Sequence, residues 1–442
     1  MGASSAATLA SPPSPAKVAL ASFIGTTIEW YDYYIFGAAT VLVLNSQFFP
    51  TLDPFAGTLA SFATFAVAFI ARPFGGAFFG HFGDKIGRKK MLVWSVLSMG
   101  LGTLVVGLLP NYATIGIWAP ILLVVCRFLQ GFAVGGEWGG AVLMSLEHAP
   151  ANKRAFFASF PQAGVPAGTV LSSGTFALIA LMPQEQLVAW GWRIPFIASV
   201  LLVAVGLWIR LKVTESPEFL EIQEKNETPK VPALEVFKSH KRSLMHGILC
   251  GFAPNFTFYI ATVFLVSYGP KQLGIPSGTI FVALMIAASL QVFTLPFFAT
   301  FADRHSQKKV LLTGCVLVGA GAFPVFALFS TGTFWGILLA LVIALPILHG
   351  VSYGVISGFT AELFPTEVRY TGTSLAYQLG GIVTSAPVPI IATLLIQQYH
   401  SSDSVAWYMV ISAVLGFIAI ATARRSRRKS DNVNVRVDEL TI

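Results

Sequence analysis

The chain has 442 residues, of which 55% are hydrophobic and only 11% charged, and its net charge is +8. Soluble domains carry about 25% charged residues, so this composition excludes a surface covered by polar groups and makes lipid the main solvent. In a soluble chain the positive balance would raise nucleic acid as a partner; here the placement of the basic residues assigns it to topology instead, and no nucleic acid is expected. Spanning helices need about 20 apolar residues each, which leaves room for about a dozen. The 37 Phe do not alternate with polar residues as a membrane barrel requires, so helices remain as the way to satisfy the backbone in lipid.

Residues 1–17 are rich in Ser, Ala and Pro and lack a cleavage pattern, and they read as a cytoplasmic tail rather than a signal peptide. Twelve helices are predicted near 18–45, 56–82, 90–109, 117–145, 155–181, 190–212, 244–269, 278–302, 309–330, 334–360, 372–396 and 405–423. The division is a first bundle at 18–212, a charged linker at 213–243, a second bundle at 244–423 and a basic tail at 424–442. The three cysteines, Cys126, Cys250 and Cys315, sit in apolar runs without metal or redox spacing and read as packing residues.

The first helix carries Glu29 and Asp32, three residues apart and so on nearly one face. Glu29 lies roughly 18 Å along the axis from Lys17, near mid-membrane. An intramembrane charge costs on the order of 3 kcal/mol or more. Burial and a neighbouring like charge both favour the protonated form of a carboxylate, which is what proton loading requires. Asp32 is the candidate proton site, with Glu29 beside it; the structural alternative is a fixed ion pair that locks helices. Arg72 in the second helix and Arg127 in the fourth lie at similar depths. One is expected to pair with a carboxylate of helix 1, the other to offer its planar fork to an anionic substrate; the alternative is neutralisation within the protein. Glu137, among glycines in the inner half of helix 4, suits a gating or a structural ion pair. Gln130, Gln162, Asn255, Tyr259, Gln291, Tyr353, Tyr377 and Gln378 are polar groups within spans. Gln130, Gln162, Asn255, Tyr259, Tyr377 and Gln378 are taken as candidate substrate contacts, each against the plainer reading of an interhelical hydrogen bond. His81 and His349 titrate near neutral pH when unperturbed, but read first as hydrogen-bonded helix residues.

The basic residues cluster in alternate loops: Lys85 to Lys90, Lys153 and Arg154, the linker, Arg304 to Lys309, Arg369 and the tail, with only Arg193 and Lys271 in the others. This is the positive-inside pattern, and it puts both termini in the cytoplasm. The halves also repeat. Gly80–Lys90 aligns with Ala299–Lys309, Glu147 to Ser159 with Glu362 to Ser374, and Gly25 to Tyr33 with Gly251 to Tyr259, at offsets of 219, 215 and 226. Two parallel six-helix repeats are a transporter architecture.

The segment Gly80-His-Phe-Gly-Asp84-Lys-Ile-Gly-Arg88-Lys-Lys90 resembles the loop signature of the major facilitator superfamily. Ile28 to Asp32, Arg72 to Gly76, Gln130 to Glu137 and Trp190 to Phe196 resemble its metabolite:proton symporter family, and within it the shikimate transporters. The resemblance implies an all-α membrane fold of two pseudo-symmetric six-helix bundles. It implies proton-coupled uptake of a small metabolite such as shikimate, oxoglutarate, citrate, proline or betaine. It also implies that Asp84 sits against the N-terminus of helix 11, near Gly372 to Ser374, making Asp84, Arg88 and Arg154 gate residues. The second-half copy keeps Asp303 but has Ser306 and Gln307 for the glycine and arginine, so a weaker latch is expected there. No heptads follow the last helix, which argues against the osmosensing proline and betaine carriers. The partial Gly164-Val-Pro166-Ala-Gly168 match argues against a drug exporter. A non-transporting nutrient sensor is a further alternative, against which the lack of a long signalling tail argues. No catalytic constellation or cofactor loop stands out. The expected partners are an organic acid, the proton as coupling ion and membrane lipid, in a monomer.

Overall fold

The computed structural model describes residues 15–86, 88–135, 141–142, 145, 149–212, 232–365 and 368–424. The first half holds α1 (Pro15–Ala39, continued through a π turn at Thr40–Leu44 into Asn45–Phe48), α2 (Pro54–Ile86), α3 (Arg88–Leu108), α4 (Trp118–Val134), α5 (Arg154–Ile179) and α6 (Ile194–Lys212). The second half holds α7 (Lys241–Leu273, with a π turn at Ile260–Phe264), α8 (Ser277–Arg304), α9 (Gln307–Phe329) and α10 (Phe334–Ala361, with a π segment at Ile343–His349). It ends with α11 (Arg369–Thr384, resuming as Val388–Tyr399) and α12 (Asp403–Thr422).

Among the described residues eight helices are long and apolar enough to cross a membrane, and Val93–Leu108 and Trp118–Val134 are shorter apolar stretches. Large apolar side chains cover the outside, among them Leu101, Leu178, Leu201, Phe293, Phe297 and Trp335. Water would not tolerate that surface, and lipid does. The polar side chains have gone inward. Glu29, Asp32, Arg72, Arg127, Gln130, Gln162, Gln291, His349 and Gln378 are all buried.

The packing repeats. α1 lies on α5, α2 on α4 and α3 on α6; likewise α7 lies on α11, α8 on α10 and α9 on α12. The halves meet where α5 runs along α8 and α2 along α11. α1 and α7 each contain a π turn, beginning at Thr40 and at Ile260. Close approach of α2 and α4 rests on glycine: a Cβ at Gly131 would overlap the Ala68 carbonyl, and one at Gly135 the Arg72 carbonyl. On α5, a Cβ at Gly168 would stand 2.8 Å from the Tyr31 amide nitrogen. These contacts press α1, α2, α4 and α5 together around the buried charges.

Helix ends find basic caps. Arg193 donates to the Gly107 and Leu109 carbonyls at the end of α3, at 2.8 and 2.7 Å, and Lys308 to those of Ala421 and Ala423 after α12, at 2.7 and 3.2 Å. Sequence periodicity predicts one continuous helix over 372–396. The structure breaks it at Ser385–Pro387, where the Ser385 and Ala386 amides both turn back to the Gly381 carbonyl. Pro387, which has no amide hydrogen to donate, is the local cause.

Candidate functional site

A narrow cavity of about 20 Å³ lies between the halves. From the first half come Trp30 and Tyr34 of α1, Phe69 and Arg72 of α2 and Val165 of α5; from the second, Asn255, Phe258 and Tyr259 of α7, His349 and Tyr353 of α10, and Tyr377, Gly381 and Ser385 on and after the first segment of α11. Arg72 is the permanent cation among these lining residues. Its guanidinium lies 4.6 Å from the Phe69 ring centre, 4.9 Å from Tyr33 and 5.5 Å from Trp30. Ring faces hold a desolvated cation with about 2 kcal/mol each at best, which orders the guanidinium without neutralising it. Its Nε has no hydrogen-bond partner. Glu29 lies close enough for its charge to act on both Arg72 and Tyr377.

Behind Tyr33 lies a second buried group. Arg127 stacks 3.8 Å from the Phe36 ring centre and 5.3 Å from that of Tyr33. Its Nη1 donates to Gln130 Oε1 at 2.9 Å. Gln130 Nε2 donates to Thr103 Oγ1 at 2.8 Å. Thr103 Oγ1 in turn lies 3.2 Å from Asp32 Oδ2 and 3.1 Å from the Met99 carbonyl. The result is a chain from the arginine of α4 through α3 to the carboxylate of α1. Asp32 Oδ1 and Arg127 Nε and Nη2 are without partners.

Of the sequence candidates, Arg72, Asn255, Tyr259 and Tyr377 line the cavity, whereas Arg127 and Gln130 stand behind it in the chain to Asp32. Asn255 donates to Thr384 Oγ1 at 2.8 Å. Gln162 donates to the Tyr353 carbonyl at 3.3 Å, and Tyr377 meets the Tyr353 hydroxyl at 3.3 Å. Repeat-related Gln162 and Tyr377 thus converge on one residue of α10. Gln378 bridges the halves, donating to the Gly135 carbonyl at 3.0 Å. Gln291 is within hydrogen-bonding reach of His349, whose ring stacks 4.4 Å from Tyr353. Sequence reasoning missed Thr103, Trp30, Tyr34 and Ser385. For Thr103 the signal was a lone hydroxyl in the run Met99 to Leu108.

The halves touch on both sides of the cavity. At the end where α5 begins, the Asp303 carboxylate accepts from the Ala155 and Phe156 amides, each at 2.9 Å. A carboxylate on a helix N-terminus is favourably placed, and the second-half copy of the signature makes a two-pronged contact there. Half-buried Arg154 opens the same helix. At the opposite end Lys271 Nζ donates to Thr58 Oγ1 at 2.7 Å. Asp84 ends within α2 and Arg88 starts α3, but their side chains, like the whole of Glu137, lie outside the described residues.

The model of the Major Facilitator Superfamily matches residues 22–386 and 272–439. The chain is 43% identical over 426 residues to a putative metabolite transport protein of Haemophilus influenzae, covering 94% of this chain and 97% of that one. It is 40% identical over 417 residues to the shikimate transporter of Escherichia coli, covering 93% and 95%. Its fold is similar to that of a D-xylose-proton symporter, with a TM-score of 0.71 over 92% of this chain and 99% of that one, at 18% identity.

Proposed function

The chain belongs to the major facilitator superfamily, among its metabolite transporters, and from that premise we propose that it imports a small organic acid together with a proton by alternating access. The observation that carries the reading is Arg72: a permanent cation, 3% exposed, on the wall of the cavity between the two halves. A carboxylate fits its planar fork, while Asn255, Tyr259 and Tyr377 offer neutral polar groups to hydroxyls. Asp32 is the proton site, with Glu29 beside it. Arg127, Gln130, Gln162 and Gln378 shape the site from behind the wall. Asp84, Arg88, Arg154 and Glu137 belong to the inner gate, which Asp303 closes from the other half. Both termini face the cytoplasm of a bacterial cell membrane, the bundles are 18–212 and 244–423, and the monomer is the working unit, with no cofactor besides the proton.

Shikimate, a cyclic hydroxy acid, is the first candidate substrate. A second reading has a specific observation in its favour. The rings of Trp30, Tyr34, Phe69, Phe258 and Tyr259 around Arg72 also fit a zwitterion whose quaternary ammonium lies on ring faces. Counterflow in proteoliposomes separates the two, with shikimate, oxoglutarate, citrate, proline and betaine as trial substrates. Acceleration by an acid alone supports the organic-acid reading. Acceleration by betaine or proline but by none of the acids overturns it.

A further inference from the structure

A buried carboxyl group that loads and releases a proton needs hydrogen-bond partners in both states, because an unsatisfied buried group costs about 1–3 kcal/mol, more when charged. Ionised, it only accepts; protonated, it must also donate. Asp32 is 1% exposed; Thr103 Oγ1 lies 3.2 Å from its Oδ2, and the Ser199 hydroxyl of α6 is a second hydrogen-bonding neighbour.

The hydroxyl of Thr103 is itself completely buried and has three neighbours. The polarity of the chain fixes what each can do. Arg127 can only donate, so Gln130 presents its oxygen to Arg127 and its amide hydrogens to Thr103. One lone pair of Thr103 is thereby occupied whatever the state of Asp32. That leaves one hydrogen and one lone pair, facing Asp32 Oδ2 at 3.2 Å and the Met99 carbonyl at 3.1 Å. The two distances are nearly equal, so the hydroxyl hydrogen has two comparable acceptors.

We propose that Thr103 is a positioning residue for proton coupling, whose hydroxyl turns between Asp32 and the Met99 carbonyl so that both charge states of Asp32 are hydrogen-bonded within the closed protein. With Asp32 ionised, Thr103 donates to it. With Asp32 protonated, its O–H donates to the second lone pair of Thr103, which turns its own hydrogen to Met99. The proton itself comes from water on one side and leaves to water on the other; Thr103 neither gains nor loses one. Gln130, oriented by Arg127, keeps the hydroxyl in register. The buried titratable or charged groups described on the helices around Asp32 include Glu29, Tyr31, Tyr33 and Tyr34 on α1, Arg72 on α2 and Cys126 and Arg127 on α4. From α5 and α6, Thr175 presents its hydroxyl to Tyr31 and Ser199 presents its hydroxyl to Asp32. Thr103, through Gln130, links Asp32 to the guanidinium of Arg127.

The inference rests on Asp32 being the proton site, and the experiment separates the two claims. The full chain is reconstituted in phosphatidylethanolamine–phosphatidylglycerol vesicles, and the infrared band of protonated carboxyl groups is followed against pH without any substrate. The parent shows a titrating band that Asp32→Asn lacks. In Thr103→Val, which keeps the shape and loses the hydroxyl, that band persists into buffer about one pH unit more alkaline, because the ionised form has lost its donor. Its C=O frequency also moves, since the protonated form has lost its acceptor. Thr103→Ser restores both midpoint and frequency. If Thr103→Val titrates like the parent while Asp32→Asn still removes the band, the role of Thr103 is overturned and the proton site stands. If the band survives Asp32→Asn, both are overturned.

Discussion

The ring of Tyr33 lies against both buried guanidinium groups, 4.9 Å from Arg72 and 5.3 Å from Arg127, and so separates a cation that faces the cavity from one that faces Asp32. The two arginines then have separable consequences. Arg72→Lys keeps the charge but loses the fork, and such a change is not conservative at a bidentate site. It is expected to raise the KM for the transported acid at least tenfold in a vesicle uptake assay; an unchanged KM removes Arg72 from the substrate contact. Asp32→Asn is expected to abolish uptake driven by an acidic exterior while leaving some substrate exchange, and full uptake by this variant removes Asp32 from the proton role. Much at this scale was legible beforehand. Glu29, Asp32, Arg72 and Arg127 stand out because lipid makes each charge expensive. Which arginine faces the cavity was not legible, since both lie at similar depth and only the rotation of α2 and α4 about their axes decides it. Thr103 was hidden because a hydroxyl is cheap enough in a helix to attract no notice.

At the scale of helices, close glycine contacts place these side chains. Gly131→Val would drive α4 off the Ala68 carbonyl of α2 and displace Gln130 and Arg127 with it. Overpacking of this kind costs about 1–3 kcal/mol or more, so the melting temperature in detergent should fall by several degrees. Gly319→Ala, whose new methyl would stand 3.9 Å from Ala413 Cβ, should leave it unchanged. The contact of Asp303 with the start of α5 joins the halves at one end of the cavity. Removing a capping carboxylate costs about 0.5–2 kcal/mol, so Asp303→Ala should favour the form open at that end. A cysteine placed at the fully buried Ser159 of α5 should then react several-fold faster with a maleimide than it does in the parent background; equal rates would show that the contact does not hold the gate. Element positions followed from apolar runs and were legible to within a few residues, except that the predicted end of helix 4 at 145 falls among residues that are largely outside the described ones. The break in α11 was not, because Pro387 in an apolar run is compatible with either a kink or a stop. The π turns were not, because an extra residue in a helical turn leaves no mark on composition.

For the whole molecule, the doubled packing of α1–α6 and α7–α12 gives a narrow cavity on the seam between two halves of the same design. The internal repeat at offsets of 215 to 226 announced it from sequence, because each half must rebuild the same bundle from its own apolar faces. The seam was less legible, since α5 and α8 meet through small and apolar side chains that read like any lipid-facing surface. Charge is distributed unevenly across the seam: Glu29, Asp32, Arg72 and Arg127 all belong to the first half, and the second lines the cavity with Asn255, Tyr259, His349, Tyr353 and Tyr377. Under the proposed mechanism the first half binds the proton and the acid's charge, and the second shapes the rest of the pocket.

Proton coupling is tested most directly with a pH electrode outside vesicles that contain the purified full chain, when shikimate or another acid that passes the counterflow test is added without a buffer gradient. The medium should become more alkaline as the acid accumulates, and the alkalinisation should vanish in Asp32→Asn. Accumulation of the acid with no change in external pH would contradict the coupling on which the mechanism rests.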